Sequence, residues 1–272
     1  MSGDLLVEVS AGVAVLTLNR PEHLNAYTAE MGALLGRAYR DCDDNDDVRA
    51  IVLTGAGRAF CAGADFSGGA SPFDAPSGDG TFSASPIDPP AFELRKPVIA
   101  AVNGHAVGIG LTIALQADIR IVAGDAKYGV VQVRRGVIGD CMSHWTLTHL
   151  TNLGVAAEVL LTGRTFTGSE AAALGIANRA LPADQVLGHA LEMARDIAVN
   201  VAPMSAALSK QLLWDSAIRG YTPRQVASLE TQLHHRVMGT ADAAEGPAAF
   251  FEKRPPRFSA SVSADWKPLP EP

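Results

Sequence analysis

Positive charge is scarce in this chain, and so are paired cysteines, aromatic rings and long apolar runs. Its 22 lysines and arginines are outnumbered by 29 acidic residues, for a formal net charge of −7. That is the wrong sign for a protein whose task is gripping nucleic acid phosphates. The three cysteines, Cys42, Cys61 and Cys141, are an odd number without a CxxC pair, which excludes a disulfide framework and a zinc knuckle. The opening stretch MSGDLLVEVSAGVAVLTLN has no basic segment ahead of its apolar residues, and it carries Asp4 and Glu8. It does not read as a secretory signal. No run approaches the ~20 apolar residues of a membrane span. The expectation is a soluble cytoplasmic protein with neither nucleic acid nor membrane as partner.

What is present is core-forming material. Hydrophobic residues make up 47% of the 272, and a chain of this size buries roughly 75% of its unfolded surface. Val13–Leu18, Val48–Thr54, Pro97–Val102 and Asp118–Ala123 are short, apolar and rich in β-branched residues, hence strand-like. Helical spacing over Thr28–Asp41 (Met31, Leu34, Leu35, Ala38) and a helix-like run over Gly108–Ala117 separate them. Alternation of this kind predicts an α/β fold with parallel pairing. Strand signals thin out after Gly129, where helices are expected over 141–152, 155–162, 168–175, 183–200, 203–218, 222–238 and 240–252. The domain expectation is a core over 1–200 and a helical region over 201–272. Ser67–Pro90 is rich in Gly, Ser and Pro and reads as a flexible loop, either a surface excursion or one wall of a pocket. Ser259–Pro272 is expected to be loose, with Trp266 pinned.

Familiar motifs fail. Gly108 and Gly110 give GxG, but Ile113 fills the third position of a dinucleotide fingerprint, and neither GxxxxGK[ST] nor GxSxG occurs. His144/His149 and His234/His235 lack the i, i+4 spacing of metal ligands, and His105 and His144 read as packing or surface residues. Two glycine-rich turns remain. GAGRAFCAGAD follows the strand ending at Thr54, and NGHAVGIG follows the one ending at Val102. Backbone N–H groups at such junctions are free to bind an oxyanion. The same glycines serve equally well to permit tight turns and close packing.

Four blocks resemble the enoyl-CoA hydratase/isomerase (crotonase) family: LNRPEHLNA (Leu18–Ala26), VRAIVLTGAGRAFCAGAD (Val48–Asp65), KPVIAAVNGHAVGIG (Lys96–Gly110) and AFFEKRPPRF (Ala249–Phe258). They occur in order over nearly the whole chain. The resemblance implies a spiral of ββα units followed by a C-terminal helical trimerisation region, and a homotrimer or homohexamer. It implies an acyl-CoA thioester as substrate, with no further cofactor. The peptide N–H groups of Ala64 and Ile109 would hold the thioester oxygen. Ala62, Asp65 and Phe66 would line the path of coenzyme A, with Phe250 and Lys253 reaching it, often across a subunit boundary. Gly108, Thr112 and Gln132 would border the acyl site.

Departures from the pattern carry the finer reading. The two glutamates of a family hydratase match Thr112 and Gln132 here, and neither a hydroxyl nor an amide titrates near neutral pH. One carboxylate is close in sequence. Asp140 lies at a position that resembles the Glu or Asp of enoyl-CoA isomerases, dienoyl-CoA isomerases and a dehalogenase branch. A single carboxylate suffices to carry a proton from the carbon α to the thioester to the γ carbon. Apolar Ile138, Cys141, Met142 and Trp145 around it would raise its pKa. Asp140 also precedes a helix-like run and reads equally as its N-cap. The expectation is therefore an enoyl-CoA isomerase acting on fatty acyl thioesters. An enoyl-CoA hydratase, a lyase, working without the glutamate pair is the first alternative. A non-catalytic acyl-CoA binding protein is the second, with dehalogenation and thioester hydrolysis as minor options.

Overall fold

The structure is a computed structural model that describes residues 3–65, 67 and 83–270. Strands β1 (Leu5–Ser10) and β2 (Val13–Leu18) form an antiparallel hairpin. Its two-residue turn puts Ala11 and Gly12 at φ 49° and 80°, the positive angles that match the twist of such hairpins. Helix α1 (Ala29–Asp44) follows, its first turn held by the Thr28 hydroxyl accepting from the Met31 N–H. Then come β3 (Ala50–Gly55), β4 (Ala59–Cys61), β5 (Val98–Val102), β6 (His105–Val107), α2 (Ile109–Ala114), β7 (Ile119–Ala123) and β8 (Lys127–Gly129). The second half contains α3 (Ser143–Leu150), α4 (Leu153–Thr162), β9 (Phe166–Thr167), α5 (Gly168–Ala173), β10 (Arg179–Leu181), α6 (Ala183–Asn200), α7 (Pro203–Arg219), α8 (Pro223–Val237), α9 (Ala241–Glu252) and α10 (Val262–Asp265).

A six-stranded sheet has the order β1-β2-β3-β5-β7-β10, parallel from β2 onward. β3 and β5 are buried along their whole length, as expected of parallel strands covered on both faces. α1 packs near β1 and β2, and α6 lies across β3, β5 and β7, presenting Val186, Ala190 and Ala194 to the core. The smaller sheet has the order β4-β6-β8-β9. In chain order β4, β6 and β8 follow β3, β5 and β7 after short breaks. At one break only a glycine fits, since a Cβ on Gly104 would lie 2.2 Å from the Arg58 carbonyl oxygen.

The structure corrects several expectations. β1, β4, β6, β8, β9 and β10 carry strand structure that the sequence pattern did not reveal. Of the presumed flexible loop, 68–82 lies outside the described residues, but 83–90 is anchored. Ile87 is 2% exposed, the Ala84 carbonyl accepts from Cys141 N, and Asp88 pairs with Arg40. The C-terminal stretch is also tied down. Val262 is buried, Asp46 accepts from Ser261 and Ser263, and Arg236 donates to the carbonyls of Lys267 and Pro268. Trp266 borders a cavity of about 530 Å³ with Phe92 and Trp214. Among the described residues no helix is long and apolar enough to cross a membrane.

Candidate active site

The site begins at two adjacent strand ends. β4 and β6 run parallel with Cys61 opposite Ala106, and Ala64 and Ile109 each lie three residues further on. The helix start is pressed against the end of β4, for a Cβ on Gly110 would stand 2.1 Å from the Cys61 carbonyl oxygen. Ile109 is the first residue of α2, where N–H groups have no helical acceptor. Ala64 bridges Tyr27, but the bonds run from Tyr27 N to Gly63 O and from Asp65 N to Tyr27 O, leaving the Ala64 N–H out. Among the described residues neither the Ala64 nor the Ile109 amide has an acceptor. Gly108, before Ile109, adopts φ 58°, ψ −128°, a conformation that essentially only glycine reaches.

Asp140 approaches from the segment after β8. Cys141 and Met142, both non-glycine, adopt φ 45° and 59°, a strained pair held by three bonds. Cys141 N donates to Ala84 O at 2.8 Å, Ser143 N to Asp140 O at 2.9 Å, and Gln116 Nε2 to Cys141 O at 3.2 Å. Such outliers persist where the surroundings over-determine them, often at functional sites. Helix α3 starts only at Ser143, with Met142 flanking it and no side-chain cap. The N-cap reading of Asp140 is thereby overturned.

The Asp140 carboxyl meets the Thr112 hydroxyl at 2.5 Å. Burial pushes its pKa above the ordinary Asp value, while Thr112 and Gln132 pull it back. The desolvating neighbours differ in part from those expected. Cys141 is fully buried, whereas Ile138 is 74% exposed and shields nothing. Thr112 is fully buried and its Oγ1 is also 3.2 Å from the Ile109 carbonyl oxygen. Its single proton can turn to an ionised Asp140, or to Ile109 O while a protonated Asp140 donates to Thr112. Thr112 thus serves the acid in both states.

Gln132 is 7% exposed. Its amide stands 3.8 Å from where a Gly108 Cβ would be and close enough to the Asp140 carboxyl to favour its charged form.

The residues expected along coenzyme A are placed less tightly. Ala62 is half-buried, its N–H donating to Leu24 O. Asp65 accepts from Ser67 N and from Arg20 Nη2, each at 2.8 Å, which holds its carboxyl well below the usual range. Phe66 lies outside the described residues. Phe250 is 78% exposed, and Lys253, exposed, closes α9 in a left-handed conformation. His105 accepts from Lys127 N, and His144 is exposed.

Two supports went unrecognised. Asn25, fully buried, donates to Ala56 O and Ala59 O and accepts from Arg20 N, so LNRPEHLNA is a brace for the strand leading to Ala64. Tyr27 flanks Ala64, and its hydroxyl is buried without a partner. Burial first, then Cys141 and Asp140, push its pKa up. The block was visible in the sequence; its bracing role was not, because it depends on contacts about thirty residues away.

Comparison with known proteins places the chain in a family. The Enoyl-CoA hydratase/isomerase family matches residues 8–261, and the chain belongs to that family. An enoyl-CoA hydratase of Mycobacterium tuberculosis, EchA19, is 33% identical over 261 residues, covering 94% of this chain and 96% of its own. The 1,2-epoxyphenylacetyl-CoA isomerase of Escherichia coli is 34% identical over 265 residues, 94% of this chain and 98% of its own. A crystal structure described as a probable enoyl-CoA hydratase/isomerase from Mycobacterium abscessus superposes with TM-score 0.91 at 56% identity, covering 94% of this chain and 99% of that one. The crotonase fold expected from the four blocks is the fold observed, C-terminal helical region included.

Proposed function

We propose that the protein is an enoyl-CoA isomerase with one carboxylate. The thioester oxygen accepts from Ala64 N–H and Ile109 N–H, which makes the α carbon acidic. The Asp140 carboxylate removes a proton there, breaking the C2–H bond. The electron pair moves into an enolate held by the two amides, each of which supplies about 3–4 kcal/mol by analogy with other oxyanion holes. Protonated Asp140 then returns the proton to C4 as the double bond shifts from C3–C4 to C2–C3. Coenzyme A would run past Ala62, with Phe250 and Lys253 at its phosphate end, and the exposed apolar side chains of the terminal helices, Leu213, Phe250 and Phe251 among them, would pack in a homotrimer or pair of trimers.

The observation that carries this reading is the pairing of one buried, pKa-raised carboxyl with Thr112 where a second acid would stand. Purified protein given a 3-enoyl-CoA is expected to yield the 2-enoyl isomer without net water addition. Asp140→Asn is expected to lose about 10²–10⁴-fold of that rate; an unchanged rate rejects the assignment.

Hydration is the second reading. It is favoured by the hydratase names that prevail among the relatives. Formation of a 3-hydroxyacyl-CoA from a 2-enoyl-CoA at rates matching or exceeding isomerisation would select it.

A further inference from the structure

Helix α1 carries a glycine in its first turns, where glycine is among the poorest residues for a helix interior. Gly32 is buried, and its N–H donates to the carbonyl of the capping Thr28. Its neighbour supplies the reason for a glycine there. A Cβ on Gly32 would stand 2.0 Å from the Tyr27 hydroxyl oxygen, 2.8 Å from Cζ and 3.0 Å from Cε2. A residue just before a helix cap commonly packs on the fourth helical residue, which fixes the angle at which the chain enters the helix. Tyr27 and Gly32 hold those two places, so a phenol is seated on helix backbone. The Tyr27 hydroxyl is buried without a partner, an exception that asks for an explanation, and the side chain packs against the core. The backbone of the same residue grips the loop that presents the Ala64 amide. Tyr27 N donates to Gly63 O at 2.7 Å and Asp65 N to Tyr27 O at 3.0 Å, with Ala64 bridged to Tyr27 between those two bonds. Any shift of the phenol on α1 therefore reaches Ala64 through a single residue.

We infer that Tyr27 is a positioning residue for the oxyanion hole, its phenol acting as a spacer against Gly32 that sets where the Ala64 amide stands. The hydroxyl supplies length rather than a hydrogen bond. Ala64 and Ile109 must aim at one oxygen, and a misplacement of about 1 Å in such a group can cost about 10²-fold in rate. The inference rests on the proposed acyl-CoA site but not on its direction of catalysis.

The test is infrared difference spectroscopy of bound butyryl-CoA, a saturated ester with no double bond to move, isotopically labelled at its carbonyl carbon. In the wild type the two amides are expected to lower the carbonyl stretching frequency relative to free ester. Gly32→Ala, which drives a methyl into the phenol, and Tyr27→Leu, which removes the spacer but keeps both backbone bonds, are each expected to lose most of that downshift while still binding the ester. Asp140→Asn is expected to keep it. Combining Gly32→Ala with Tyr27→Phe gives the new methyl part of the space the hydroxyl held, and is expected to recover part of the shift that Gly32→Ala alone loses, a non-additive cycle. A role in stability alone would lower the unfolding midpoint of these variants and leave the bound carbonyl frequency unchanged. An unchanged frequency in Gly32→Ala and Tyr27→Leu, or additive losses around the cycle, overturns the inference. Tyr27→Leu decides the matter if Gly32→Ala fails to fold. If the frequencies respond as expected but no enoyl-CoA is isomerised, the isomerase reading fails while this one stands. If the wild type binds no CoA ester, or binds it without a downshift, there is no oxyanion hole at Ala64 and this inference falls with it.

Discussion

At the scale of single residues, Asp140 is a compromise between stability and reactivity. Its folded-state pKa is raised by burial. Below the unfolded Asp pKa, about 3.9, the carboxyl is protonated in both states and costs nothing. As pH rises through the folded pKa, the native state must hold a desolvated charge, so stability falls relative to a neutral side chain. Asp140→Asn is therefore expected to melt above the wild type at pH 7 and level with it near pH 4, by calorimetry at both values. In activity the sign is opposite. The base must be ionised, so kcat/KM is expected to rise with pH to a plateau, its midpoint above the ordinary Asp value. The candidacy of Asp140 was legible in the sequence, from one acid where two were missing. The role of Thr112 was not, because nothing in a linear pattern shows that its hydroxyl spans Asp140 and the Ile109 carbonyl.

At the scale of elements, the site depends on the fit of α2 against β4. Long, strongly patterned segments such as α6 and β3 were legible, since their burial repeats at helical spacing or runs unbroken. The two- and three-residue strands of the smaller sheet were not, because they are shorter than any period. Their glycines were visible, but what they abut was not. A methyl at Gly110 would meet the backbone of Cys61, and backbone cannot rotate away. Gly110→Ala is expected to destabilise the protein by about 1–3 kcal/mol, measured by urea unfolding. It should also lower kcat more than affinity for a non-reacting CoA ester, because the Ile109 amide moves. A variant as stable and active as the wild type would show that this contact does not place the amide.

At the scale of the whole molecule, the helical region is fastened to the α/β body by a buried ion pair. Lys210 on α7 lies 2.7 Å from Asp118 at the foot of β7, and its ammonium also donates to the carbonyls of Ala91 and Lys96. Asp118 accepts in addition from Val98 N and Trp214 Nε1, each at 2.7 Å. Lys210→Met would leave that carboxylate buried and unpaired, and is expected to cost about 3–5 kcal/mol, seen as a lowered unfolding midpoint. Lys210→Arg, which keeps the charge, should cost less. Little loss on Lys210→Met would mean that the Val98 and Trp214 donors alone compensate the charge. The order of an α/β body then helices was legible from periodicity; their attachment was not, because it rests on residues about ninety positions apart.

The central claim is that Asp140 itself carries the proton between carbons. A 3-enoyl-CoA dideuterated at C2, incubated with the wild type in ordinary water, tests it by mass spectrometry of the 2-enoyl product. Deuterium at C4 is expected in part of the product, and Asp140→Asn is expected to turn over about 10²–10⁴-fold more slowly and without transfer. A product bearing only protium at C4, together with undiminished isomerisation by Asp140→Asn, would contradict the account.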